Sequence, residues 1–310
     1  MGPEVTSMQK SLSARKAFLS RRSRQALIGA GYILPSFVLM LIFNVSPIFL
    51  SIFYSFTKYD MTAAPIWVGL DNYVKLSQNK YLGTVLGNTV QYVLITVPIQ
   101  TVLALLIAAF IAGHLKNRYG SFLRGVIFIP VIASLIASAA VWDVMYRPDG
   151  GLINQFLNVF GVESVNFLGK KPTALPSVAA VSIWKSTGYY MVIYYAGIMN
   201  VPAEVQEAAI VDGASPVQRF WYITLPILRP ITYMIVTLGI IGSFQVFDLV
   251  YKMTGGGPGR ATLTVAYMIY SYAFQDKRMG YACALAVGLL AVILLIHLIQ
   301  TLFFKERDAK

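Results

Sequence analysis

The feature that most restricts this chain is a run of 29 residues without a charge, Ala26–Tyr54. A helix needs about 20 apolar residues to cross roughly 30 Å of hydrocarbon, so this run is long enough to span a membrane. Five more stretches follow: Asn88–Ala112, Gly125–Trp142, Pro176–Met199, Ile231–Phe247 and Tyr281–Phe304. All are uncharged except the fourth, which holds Lys185. Inside a bilayer the backbone must satisfy its hydrogen bonds within each segment, which makes these stretches helices. The expectation is an all-α membrane protein with six transmembrane helices. Composition agrees, with 57% apolar and only 12% charged residues, against about 25% charged in soluble domains. One cysteine, Cys283, forms no internal disulfide, and with His114 and His297 it makes no zinc site.

The basic residues set the orientation. Lys10, Arg15, Lys16, Arg21, Arg22 and Arg24 precede the first span, which by the positive-inside tendency places that tail in the cytoplasm. Six spans then bring Lys305, Arg307 and Lys310 to the same side. The expected division is a basic tail 1–25, a permeating domain 26–304 and a short tail 305–310. The first apolar run is too long for the core of a cleavable signal, so it is expected to stay. A net charge of +12 spread in this way suits contact with anionic lipid. Nucleic-acid binding is not expected, because no soluble module gathers the charge. The outer loops, 55–87, 143–175 and 248–280, are too small for a catalytic domain. Leu152–Phe160 is an amphipathic fragment expected at the membrane surface or over the mouth of the bundle.

The loop between spans four and five, residues 201–226, is shaped beyond the needs of a connector. Pro202 suits the first turn of a helix, and Glu204 complements its positive end. Gly213 is the residue that ends this helix in a left-handed conformation. Ser215 caps a second short helix with Pro216 in its first position. Val205, Ala208, Ala209 and Asp212 share one face by their spacing.

Within this loop, Glu207-Ala208-Ala209, Gly213 and Ile223-Thr224-Leu225-Pro226 match the EAA loop of ABC-importer permeases. The chain resembles a type I permease of the carbohydrate-uptake group, the branch with maltose and glycerol-3-phosphate permeases. Val68-Gly69-Leu70-Asp71-Asn72-Tyr73, Asn88-Thr89, Ile129-Pro130 and Phe247-Asp248 with Met253-Thr254-Gly255-Gly256-Gly257-Pro258 extend the likeness over most of the chain. The resemblance implies a second homologous permease, two cytosolic ATPase subunits binding ATP and Mg, and an extracytoplasmic solute-binding protein. It implies a bacterial or archaeal plasma membrane location and no cofactor or catalysis in this chain. By position Glu207, Ala208, Ala209, Asp212 and Gly213 inherit the coupling role. No phosphate-binding loop is present, since Gly169-Lys170 lacks the upstream glycine and the hydroxyl residue.

For the substrate path, Lys185 draws attention because an ionisable group inside a span is costly and needs compensation. It sits about nine residues from the outer end, roughly 14 Å at 1.5 Å per residue. Ser182, Lys185, Ser186 and Tyr189 share a helical face, and Gln245 on span five offers donor and acceptor groups to a hydroxyl. Two readings of Lys185 stand side by side: a sugar-facing group, or a partner of a structural acid such as Asp248 or Asp143. Transport of another polar solute such as glycerol phosphate is a rival to sugar import. A secondary transporter is a rival of another class, but the spans supply almost no acids for a relay.

Overall fold

The computed structural model describes residues 25, 26, 28–115 and 118–308, with side chains up to residue 302. The basic tail from Lys10 to Arg24, Lys116, Lys310 and the side chains of Lys305 and Arg307 therefore lie outside the described residues. The chain forms two compact units, one reaching Tyr54 and one beginning at Ser55. The first contains most of α1, Ile28–Ser55, an apolar helix with a π turn at Leu41–Val45.

The second unit opens with a short antiparallel pair, β1 (Thr57–Lys58) and β2 (Ile66–Trp67), then α2 (Asp71–Ser77) and α3 (Leu82–His114). Next come α4 (Arg118–Ile132), α5 (Leu135–Met145) and α6 (Leu152–Val159). The long α7 (Lys171–Met199) leads to α8 (Ala203–Val211). After it run α9 (Pro216–Ile227), α10 (Arg229–Phe244) and α11 (Asp248–Met253). The last elements are α12 (Val265–Tyr270) and α13 (Met279–Asp308).

The α3–α7 pair is the spine of this unit. Ala104 and Ala108 of α3 and Met191 and Tyr194 of α7 are completely buried in one cluster with Leu228 and Ile235. Small residues let helix backbones approach closely, the usual basis of packing in hydrocarbon. Gly197 of α7 makes room for neighbouring side chains, because a Cβ there would lie 2.3 Å from Ile231 Cδ1 and 2.8 Å from Leu228 Cδ2.

Two expected spans are not single helices. Gly125–Trp142 is broken at Ala133-Ser134, where α4 and α5 meet at 97°. The uncharged run masked this corner, which long-range contacts hold. The span expected over Ile231–Phe247, Gln245 included, stops at Phe244, and α11 begins anew at Asp248. The break is stable because side chains take over backbone partners: Thr264 Oγ1 donates to the Val246 carbonyl at 3.0 Å. Among the described residues three helices are long and apolar enough to cross a membrane by themselves, Ile28–Ser55, Leu82–His114 and Met279–Leu302, and the bent pairs α4–α5 and α9–α10 would raise the number to five. The remaining candidate, α7, has 29 residues, long enough for a span at 1.5 Å per residue.

Candidate functional site: a coupling loop and a bundle wall

The 201–226 loop folds from its own local signals. Pro202 stands at the N-cap of α8 in an extended conformation. At the other end Gly213 takes φ +80°, which only glycine adopts without penalty. The Gly213 N–H then donates to the Ile210 carbonyl (3.0 Å) and the Ala214 N–H to the Ala209 carbonyl (2.9 Å). These are the two bonds of a Schellman stop, which satisfies carbonyls a helix end otherwise leaves orphaned. Two residues on, Ser215 and Gln218 form a reciprocal capping box: Gln218 N–H donates to Ser215 Oγ at 3.3 Å and Ser215 N–H to Gln218 Oε1 at 2.8 Å. Gln206 Nε2 donates to Thr224 Oγ1 at 3.1 Å, tying α8 to α9. The turn is fixed at both ends and across its middle.

Ala209 is buried, while Glu207, Ala208, Asp212 and Gly213 are exposed. Around them stand Val211, 87% exposed, and Tyr222, 79% exposed, with Val217 and Trp221 also open. Exposed apolar groups gathered around a charged rim mark an interaction face. A cavity of about 270 Å³, lined by Asp212, Gly213, Ala214, Gln218, Arg219, Tyr222 and Ile223, opens beside the turn.

The loops at residues 55–87 and 248–280 are pinned by side-chain hydrogen bonds. Asn72 is buried and its Nδ2 donates to the carbonyls of Ser55 (2.9 Å) and Thr57 (2.8 Å). Asn88 Nδ2 donates to the carbonyls of Arg260 (2.8 Å) and Leu263 (3.0 Å), and Thr89 Oγ1 accepts from the Val265 N–H at 3.1 Å. The Arg260 guanidinium lies 3.8 Å from the centre of the Tyr81 ring. There the hydrogen bond from Lys80, then the charges of Arg260 and Lys80, lower the Tyr81 hydroxyl pKa. Asn72 thus ties α2 to the chain around β1, while Asn88 and Thr89 hold the segment 260–265, just after the glycine-rich run, against α3.

On α7, the expected path residues separate into different environments. Ser186 Oγ donates to Gln100 Oε1 of α3 at 2.7 Å, so it joins two helices. Gln100 is 3% exposed, and Gly239 of α10 leaves room for its amide, since a Cβ there would be 2.7 Å from Gln100 Nε2. Ser182 is half-buried, and Tyr189 is exposed with its ring edge toward Tyr190 at 5.3 Å. Gln245 is exposed in the break after α10, and no hydrogen bond joins it to the α7 group among the described residues. Trp184 packs edge-on against Trp142 of α5 at 5.3 Å.

Lys185 has a partner that neither reading of the sequence anticipated. Its Nζ donates to the backbone carbonyls of Pro130 at 2.8 Å and Val131 at 3.4 Å, and to that of Ala133. These are carbonyls at the C-terminal end of α4, where the 97° corner interrupts the helix. Asp143 and Asp248 make no ion pair with it; Lys75–Asp71 is the salt bridge among the described residues. Sequence reasoning also missed Gly188, one turn from Lys185. A Cβ there would stand 2.3 Å from the Ile127 carbonyl oxygen. A glycine three residues from a charge in a span was the signal available.

The comparisons with known proteins agree with this geometry. Residues 62–307 match the family described as binding-protein-dependent transport system inner membrane component. The chain is 35% identical over 277 residues to the probable ABC transporter permease protein YurN of Bacillus subtilis, covering 88% of this chain and 94% of that one. It is 33% identical over 276 residues to the trehalose/maltose transport system permease protein MalF of Thermococcus litoralis, covering 88% and 91%. A solved bacterial ABC transporter involved in import of the acidic polysaccharide alginate has the same fold, with a TM-score of 0.81 at 23% identity, covering 94% of this chain and 99% of that one. A matching family model over most of the sequence, an exposed EAA hairpin and long apolar helices lead to one conclusion: this chain belongs to the inner-membrane permeases of binding-protein-dependent ABC transporters.

Proposed function

We propose that this permease forms half of the path by which a sugar or oligosaccharide is imported at the expense of ATP hydrolysed in a partner. The observation that carries the reading is the α8–α9 hairpin, locked at both ends yet exposing Glu207, Asp212 and a ring of apolar groups. Such a surface fits a cleft in a cytosolic ATPase, where Glu207 meets a basic group and Gly213 permits the turn. The assembly has a second permease, two ATPases holding ATP and Mg, and an extracytoplasmic binding protein. The relatives support the substrate class: one is a trehalose/maltose permease, another an arabinooligosaccharide permease of Bacillus subtilis, 29% identical over 298 residues. In this reading six helices cross the membrane with both termini in the cytoplasm. Single cysteines at positions 12 and 309, in a Cys283→Ser background, then label only after permeabilisation; labelling in intact cells would overturn that topology.

Ser182, Lys185, Ser186 and Tyr189 on α7, with Gln245 after α10, belong to the wall of the path. A deletion strain tested for uptake of labelled di- and oligosaccharides, and of glycerol phosphate as the rival class, decides the substrate. Loss of sugar uptake restored by the intact gene supports the proposal. Loss confined to glycerol phosphate contradicts it.

A further inference from the structure

We infer that Lys185 is a positioning residue: with Gly188 it holds the α4–α5 corner inside the membrane instead of binding substrate. The inference rests on reading α7 as a wall of the path, and it divides that wall into groups that face cargo and one that fixes backbone. Two liabilities meet at this point. The last carbonyls of a helix have no partner within it, and in hydrocarbon no water replaces that partner. An ammonium inside a span is likewise unfavourable without compensation.

An ammonium has three N–H donors and no acceptor. Lys185 directs Nζ to three carbonyls, those of Pro130, Val131 and Ala133, so the donor count matches the acceptor count. The charge also lies at the negative end of the α4 dipole, where a cation is favoured. Nothing remains to donate to a sugar hydroxyl or a carboxylate unless the corner is uncapped.

Gly188 is an independent second observation. Its missing Cβ lets α7 approach α4 until backbone meets backbone, with Ile127 O, Ile127 C and Phe128 Cα all within 3.2 Å of where a Cβ would be. Only at that separation does the side chain one turn earlier reach the broken end. The corner in turn places α5, whose Trp142 packs on Trp184 and whose Ala139, with Tyr146 just past its end, shares a buried cluster with Leu249 and Val250 of α11. One lysine therefore sets the position of α5 and, through it, of the segment following the break at Gln245.

The test uses the full assembly with its partner subunits, a Cys283→Ser background and a nitroxide on Ser134→Cys, an exposed site at the corner. In the absence of sugar, Lys185→Met should shift the spectrum toward a mobile component. Lys185→Arg, which still offers donors, should restore most of the immobile one. Uptake should fall severalfold in the first variant and recover in the second. An unchanged spectrum in Lys185→Met together with lost uptake would overturn the inference and return Lys185 to the substrate. If Lys185→Met does not assemble, Gly188→Ala carries the same test with every charge in place: mobilisation at Ser134 supports the clamp, and an unchanged spectrum refutes it. Failure of the parent assembly to transport any sugar would count against the sugar reading alone, since the spectrum needs no substrate.

Discussion

The α8–α9 hairpin and the α4–α5 corner are both sharp turns, and they are built in opposite ways. The hairpin uses partners close in sequence: Gly213 to Ile210, Ala214 to Ala209, and Ser215 with Gln218. The corner uses Lys185, 52 to 55 residues away from the carbonyls it caps. The hairpin carries exposed charged and polar groups, Glu207 and Asp212 among them, which are open to meet a partner. The corner lies within apolar sequence, so each uncapped carbonyl there is costly. A locally built turn can be a docking module, because damage to it stays local. A turn held from a distance makes the fold depend on one side chain.

That difference predicts where mutations are felt, beginning with the corner. Gly188→Ala should have the largest effect. Its Cβ would meet backbone atoms that cannot rotate away, and overpacking of this kind costs about 1–3 kcal/mol. The expected outcome is a lower yield of assembled complex and a lower melting temperature in detergent. Normal yield would mean that α7 and α4 can separate freely and that the corner is not clamped.

Gly213→Val tests the other region. There is open space around Gly213, so no clash arises, but φ of +80° strains a branched residue by about 1–2 kcal/mol. Because the turn is local, the variant should reach the membrane at near-parental yield while uptake falls. Co-purification of the ATPase, measured on the same preparation, should weaken. A collapse in yield instead would show that the hairpin supports the whole fold.

Ser186→Ala should have the smallest effect. It removes the bond to Gln100, and hydrogen bonds between membrane helices average about 0.6 kcal/mol. A small drop in melting temperature with uptake retained fits a joint between α7 and α3. A large loss of uptake at unchanged stability would instead place Ser186 against the substrate.

The same contrast explains how much could be read in advance. Pro202, Gly213, Ser215 and Pro216 announce the hairpin by residue type and spacing; Gly213, Ser215 and Pro216 occupy their expected places, and Pro202 stands at the N-cap, one position before the first turn. The helical character of the apolar runs was equally legible, since hydrocarbon leaves the backbone few alternatives. The corner was not legible, because Gly125–Trp142 is apolar on both sides of the bend and only Pro130 hints at it. Sequence offers Lys185 a sugar or an acid such as Asp143 or Asp248 as partner, whereas its acceptors are main-chain oxygens that every residue carries. Gln245 was placed on a helix that ends one residue earlier, because the contact that stabilises the break comes from Thr264, on a separate segment.

We propose that the exposed hairpin transmits ATP hydrolysis in a partner to sugar movement through this chain. The most direct test is Glu207→Lys in an assembly reconstituted into liposomes with the binding protein outside and ATP within the ATPase compartment. Glu207 is exposed, so folding and permease assembly should be unaffected. The parent should accumulate labelled oligosaccharide in step with phosphate release. The variant should release phosphate without accumulation, or lose the ATPase altogether. Sugar accumulation by Glu207→Lys at the parental rate and parental ATP cost would contradict the proposal.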